Sequence, residues 1–345
     1  MRSSSSVRAH HPRRSRRNLA WLVAIPICVA GCAGGIASSY DQTFLSANHN
    51  WAFRHEFADV DALFNAFDYG HARLYETLWR TPAAAQSVLD EKEFRFITTK
   101  LLRDPPTVAL DEAAIAPQWV KLAPEVAAMF DWAHMLHRQI YDVWTDDRIP
   151  GSDKDAQVAR LIDYYKSRRA LAFSSRPKNM NLMEGQPYSL SFRHRFPTYN
   201  GLIWSYHWLQ MTLYEALLAS RNATQRRQNV NAVVARFWSL IDSSSTNLPT
   251  EMPQAPQIAP MFSDRYAEAA IIFDNLHSLH DVVSDILADG RIPRGEKRRR
   301  ILDAAARYRD DTSSVVTLDE WRSMARAMGL ERMGGPAPIP AGGER

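Results

Sequence analysis

Residues 131–150 read DWAHMLHRQIYDVWTDDRIP, and residues 274–293 read DNLHSLHDVVSDILADGRIP. Both follow one pattern: an Asp, a His three and six residues later, further Asp residues at eleven and fifteen, and an Arg-Ile-Pro ending. Extended back to residues 115 and 258, the two stretches are identical at fifteen of thirty-six positions without a gap. Upstream, at an offset four residues shorter, Phe53-Arg54-His55 returns as Phe192-Arg193-His194, and Leu74-Tyr75-Glu76 as Leu213-Tyr214-Glu215. Chance does not produce this agreement. The sequence predicts an internal duplication, with the change of offset absorbed in a loop.

Apolar residues recur at helical spacing, as at Leu63, Phe67, Leu74 and Leu78, and no stretch alternates with period two. The expectation is an all-α fold of two four-helix repeats related by a pseudo-twofold axis. In the first repeat, helices are expected near 58–80, 81–102 (Thr81 as N-cap, Pro82 as first helical residue), 124–146 and 153–166. The third should stop before Pro150, because proline cannot continue the hydrogen-bond ladder. In the second repeat they fall near 199–219, 224–242, 264–289 and 295–309. The parts are then a signal peptide (1–31), a lipid-anchored tether (32–50), repeat 1 (51–173), a linker (174–191), repeat 2 (192–310), and a short helix with a disordered tail (311–345). Thr317-x-x-Glu320 is a capping box for that last helix, and the Gly/Pro/Ala-rich tail begins at Gly334.

The formal net charge of +4 suggests a basic protein, but the excess sits at the N-terminus. Residues 1–31 hold six arginines and no acidic side chain. Without them, 36 basic residues face 38 acidic ones, a balance that excludes a nucleic-acid footprint. The apolar run 19–31 is too short for a permanent membrane span. Ser15-Arg16-Arg17-Asn18-Leu19 resembles the twin-arginine signature, and Val29-Ala30-Gly31-Cys32 resembles a bacterial lipobox. The resemblance implies cleavage before Cys32, acylation of that residue, and a body anchored to the cell envelope on its extracytoplasmic (periplasmic) side. Cys28 and Cys32 are the chain's two cysteines, so the body has neither disulfides nor thiolate ligands.

Nine histidines lie beyond the signal, and eight of them fall in the repeated blocks. At about 100° per residue, Asp131, His134 and His137 fan over one helix face, as do Asp274, His277 and His280. Burying such groups on a semi-apolar face is costly unless they are paired or coordinated. Coordination removes the cost, since the cation neutralises carboxylates and neutral imidazoles donate to it. Candidate ligands are therefore Glu76, Asp131, His134, His137, Glu215, Asp274, His277 and His280. A second set comprises His55, Asp68, His71, His194, His207 and Gln210; here Asp68 aligns with His207, and His71 with Gln210, so the two sides of the site would differ. Asp142, Asp146 and Arg148, with their counterparts Asp285, Asp289 and Arg291, read as structural ion pairs and helix ends.

One Glu from each of two helices plus a carboxylate-x-x-His pair from each of two others resembles the di-iron or di-manganese site of ferritin-like bundles. The matching residues are Glu76, Asp131, His134, Glu215, Asp274 and His277, with Asp-x-x-His where that family has Glu-x-x-His. The resemblance implies a dinuclear iron or manganese centre with redox chemistry on oxygen or peroxide. A histidine-dominated set (His134 with His137, His277 with His280) points instead to copper or zinc, with the aspartates orienting the imidazoles. Non-covalent bis-histidine haem and a purely structural polar network are further readings. The expected function is a lipid-anchored envelope protein holding a His/carboxylate metal centre, as a metal-dependent redox enzyme or as a non-catalytic metal-binding scaffold. Its partners would be the membrane, through the lipid, and a metal ion or small molecule.

Overall fold

The computed structural model describes residues 43–242 and 247–339. The signal, Cys32 and most of the tether lie outside the described residues. What is described is all-helical, with one isolated antiparallel bridge between Lys178 and Val315. The helices are α1 (Ala52–Glu56), α2 (Ala58–Arg80), α3 (Phe94–Phe96), α4 (Glu112–Ile115), α5 (Pro117–Leu122), α6 (Pro124–Thr145) and α7 (Gly151–Ser167). There follow α8 (Asn181–Glu184), α9 (Ser191–Arg195), α10 (Pro197–Leu218), α11 (Ala223–Asp242) and α12 (Ala255–Ile258). The last are α13 (Pro260–Arg265), α14 (Ala267–Ala288), α15 (Arg294–Arg309) and α16 (Leu318–Met328). None of these helices is long and apolar enough to cross a membrane.

Seven of the eight expected long helices stand within a few residues of their expected limits. The helix expected at 81–102 differs. Thr81 ends α2, its N–H bonded to Thr77 O, instead of opening the next helix. Wide-turned helix then covers Ser87–Glu93 and Ile97–Leu101 on either side of α3. Its buried positions Leu89, Glu93 and Ile97 fall four apart, with Thr98 beside the last, a spacing that a wider turn keeps on one side. The short helices α1, α3, α4, α5, α8, α9, α12 and α13 are too brief to show a periodic signal in sequence.

Four long helices make the centre. In α10 every residue from Tyr199 to Leu217 is buried, and in α14 every residue from Ala269 to Ala288. A helix buried on all sides must be surrounded by others. Helix α2 packs against α10 and α14, and α6 packs against the same two. Each first-half helix is thus flanked by second-half helices, and one continuous apolar cluster runs through both halves.

The ends of the bundle are tied by buried carboxylates. Trp51 and Leu190 both adopt the left-handed conformation, at φ 66° and 65°, which is uncommon and strained without glycine. Asp142 holds the first turn through Trp51 N–H and Phe53 N–H, each at 2.9 Å. Asp285 does the same for Leu190 N–H at 2.8 Å and Phe192 N–H at 2.7 Å. Burial pushes the Asp142 carboxyl up to about 7 and the Asp285 carboxyl up to about 8, against the downward pull of the donors. Asp146 pairs with Arg148 at 2.8 Å, and Asp289 with Arg291 at 2.7 Å.

Thr317 and Glu320 form the expected capping box on α16. The tail expected to be disordered from Gly334 is instead placed at its start. Gly335 O accepts from Trp208 Nε1 at 2.7 Å, and Gly334 sits at φ +106°, where a Cβ would lie 2.8 Å from the Trp208 ring. Only glycine suits that contact.

Replacing Asp285 with Ala strands two N–H donors, buried Phe192 and half-buried Leu190, beneath a strained turn. Its expected cost is about 2–5 kcal/mol of unfolding free energy by urea titration. A loss below about 0.5 kcal/mol would mean that the turn holds itself.

Candidate metal centre

The central helices project polar groups inward at i, i+3 spacing: Asp68 and His71 from α2, His207 and Gln210 from α10. Asp131, His134 and His137 come from α6, and His277 and His280 from α14. His71, His207 and His280 converge, with one ring nitrogen from each lying within 4.8 Å of the others, and the three together could hold a metal ion. His207 Nε2 is 3.3 Å from His71 Nε2 and 3.4 Å from His280 Nδ1. An ion binding nitrogens tetrahedrally at about 2.0–2.1 Å spaces them about 3.3 Å apart, so His207 stands at ligand separation from both His71 and His280, and all three nitrogens lie within 4.8 Å of one another. His71 Nδ1 lies 3.3 Å from Phe67 O. A carbonyl can only accept, so Nδ1 carries the proton and Nε2 presents its lone pair inward.

Six rings form a connected group. His134 is 5.7 Å from His280 between ring centroids, His277 stacks on His207 at 4.1 Å, and His137 lies 5.9 Å beyond His277. Burial makes protonation costly and holds all six imidazoles neutral. It lowers His71 to about 4 and His277 to about 3, and takes His134, His137, His207 and His280 well below the ordinary range. Both nitrogens of His277, His137 Nε2, His207 Nδ1 and Gln210 Oε1 are buried without a hydrogen-bond partner. Each such group costs about 1–3 kcal/mol, and folded proteins rarely collect several in one place without a ligand or water. Tyr214 Oη, 2.8 Å from His137 Nδ1 and 3.3 Å from His137 O, fixes that ring.

Beside the triad is a cavity of about 30 Å³, lined by His71, His280, His134, Tyr75, Asp68, Asp131 and Glu112 among others. This is enough for one or two waters. Glu112, at the start of α4, accepts from Trp119 Nε1 at 3.0 Å. Burial, and then the charges of Asp131 and Asp68, push its carboxyl up to about 8.

The remaining sequence candidates lie elsewhere. Glu76 Oε2 accepts the Gln118 and Trp119 N–H groups at 3.0 Å each, capping α5. Glu215 Oε1 accepts Phe262 N–H at 2.9 Å on α13. Asp274 accepts Ala255 N–H at 3.0 Å and Trp321 Nε1 at 2.8 Å. His55 and His194 end α1 and α9 on the exposed surface. Asp68, His71, His207 and Gln210, assigned from sequence to a second set, stand instead at the centre. Glu112 escaped the sequence reading because its counterpart is Ala255, and a search for matched residues passes over such a position. The signal that could have found it is mismatch between the two aligned segments, of the kind already visible at Asp68/His207.

No family model, curated protein or solved structure matches the chain.

Between about pH 3 and 6.5 an unfolded chain binds a proton at His277 that the folded chain does not. Stability is therefore lost as pH falls through that window, by about 1.4 kcal/mol per pH unit for this group. In metal-free protein, His277→Leu should flatten urea-measured stability between pH 6 and pH 4 by about one proton's slope. An unchanged slope would show that the imidazole is not held neutral.

Proposed function

We propose that the chain is a cell-envelope lipoprotein whose helical body arose by internal duplication and holds a transition-metal ion at His71, His207 and His280. The observation that carries the metal reading is the approach of three buried, neutral imidazoles, with one nitrogen of each within 4.8 Å of the others and His207 at ligand separation from both neighbours. Three imidazoles without a thiolate favour copper or zinc over manganese. The glutamates that an iron or manganese carboxylate centre would use as bridges have oxygens bonded to the N-termini of α5 and α13.

The adjoining cavity supplies the open position that separates a working metal site from a structural one. Its size admits a ligand no larger than water, dioxygen or peroxide, with carboxylates beside it to exchange protons. The function that fits is metal-assisted chemistry on such a small molecule: redox if the ion is copper, activation of bound water if it is zinc.

Support for the duplication comes from the helix bounds as well as the sequence. Helices α1 and α2 start 139 residues before α9 and α10, and α4 to α7 start 143 residues before α12 to α15. Support for the envelope location is the twin-arginine and lipobox resemblance around Arg16, Arg17 and Cys32.

Protein purified from its own envelope should contain one late first-row ion per chain by elemental analysis, and His207→Ala should lose it while keeping its helical circular dichroism. Absence of stoichiometric metal in the wild type, with none taken up from added Zn²⁺ or Cu²⁺, would overturn the metal reading. Cys32→Ala should move the protein from the membrane to the soluble fraction; unchanged fractionation would remove the lipid anchor.

A further inference from the structure

We propose that Asn200 and Asp281 are positioning residues for the triad, holding one water against His207 Nδ1 so that the opposite nitrogen of that ring faces the ion. This rests on the metal reading of His71, His207 and His280 and adds what orients the middle ligand. A further cavity, of about 10 Å³, is lined by all three imidazoles of the triad together with Asn200, Asp281 and Ser284. It has room for one water, which needs two to four polar partners. Three polar atoms of its lining residues have no hydrogen-bond partner within the protein: His207 Nδ1, Asn200 Oδ1 and Asp281 Oδ2. Their residues are 1%, 2% and 5% exposed, so bulk solvent does not serve them. Arg193 Nη2 stands 3.9 Å from Asp281 Oδ2, too far for a hydrogen bond, and its Nη1 bonds Glu251 at 2.9 Å.

The chemistry of the three atoms matches one water. His207 Nε2 lies 3.3 Å from His71 Nε2 and 3.4 Å from His280 Nδ1, so Nε2 is the nitrogen that reaches the ion. A neutral imidazole then carries its proton on Nδ1, which becomes a donor. Asn200 Oδ1 and Asp281 Oδ2 are acceptors. A water accepts from the first and donates to the other two, using both of its hydrogens. Without the ion, Nδ1 can accept from the same water, so the water belongs to both states.

The first half closes the aligned place differently. The positions aligned with Asn200, Asp281, Ser284 and Ile203 are Asp61, Arg138, Tyr141 and Phe64. Asp61 and Arg138 bond each other at 2.8 Å, and the Tyr141 ring lies 5.1 Å from Phe53 and 5.8 Å from Phe64. The small cavity beside that ion pair is lined by no histidine. In the second half a carboxylate stands for the arginine, an amide for its partner, and a serine and an isoleucine for the two rings. The exchange removes the ion pair, opens space, and leaves acceptors beside an imidazole that needs one. A purely structural role would be better met by the first-half ion pair.

The test uses the whole exported protein. A crystal structure of the metal-free form should show one water within hydrogen-bond distance of His207 Nδ1, Asn200 Oδ1 and Asp281 Oδ2. Zinc affinity is then measured by chelator competition. Asn200→Leu, close to asparagine in shape but without an acceptor, should weaken zinc binding about tenfold or more. Asp281→Asn keeps an oxygen acceptor and should stay within about threefold of the wild type. Should Asn200→Leu fail to fold, Ser284→Val fills the cavity and should produce the same loss. In zinc-loaded protein labelled with ¹⁵N-histidine, the proton on His207 Nδ1 should exchange slowly with solvent, and faster in Asn200→Leu. A merely structural asparagine would not produce that difference. Zinc bound by a protein without this water, or with unchanged affinity in the folded variants, overturns the proposal and leaves the triad reading standing. The water present with no zinc bound overturns the triad reading, and the positioning role falls with it.

Discussion

Burying six imidazoles among the apolar side chains of four helices forces those rings to stay neutral, and the rest of the structure follows from accommodating them. A protonated ring here would be an unpaired charge in a medium that cannot solvate it. A neutral ring carries a lone pair that needs a donor or an ion. Phe67 O fixes the His71 tautomer and Tyr214 fixes His137, while His277 has no hydrogen-bond partner at either nitrogen. The helices are therefore organised around polar groups whose demands the protein alone does not meet, an arrangement suited to a ligand and poor as a stability device.

Repeated polar residues divide into two kinds by what they touch. Asp142 and Asp285 grip strained turns, Glu76 and Glu215 hold short helices, and Asp146 and Asp289 pair with arginines two residues on. These match between the halves because both halves need the same scaffold. At the centre the matching breaks down: Asp68 aligns with His207, His71 with Gln210, and Glu112 with Ala255. The converging histidines and the carboxylate cavity both depend on positions where the halves differ.

Most of the fold was legible in the sequence because long amphipathic helices declare themselves through spacing and terminators such as Pro150. The short helices were not, being one or two turns long and defined by carboxylates that reach them from distant residues. The wide-turned segment after α2 departs from expectation because Thr81-Pro82 satisfies the local rule for a helix start while Thr81 closes the preceding helix. At the site, periodicity placed the right faces inward but could not say which helix opposes which. That arrangement decides why His71, His207 and His280 meet while Glu76 and Glu215 cap other helices.

The alternation of halves around the centre also bears on how the chain can be made. Successive pairs such as α6 with α7 and α14 with α15 are close in sequence and can form as they emerge during synthesis. The central contacts cannot, because α2 and α6 wait for α10 and α14, and α14 ends at residue 288. Contacts of such long sequence separation close late and slowly. The last central helix to leave the ribosome also carries His280, so the triad is assembled only when the centre closes around it.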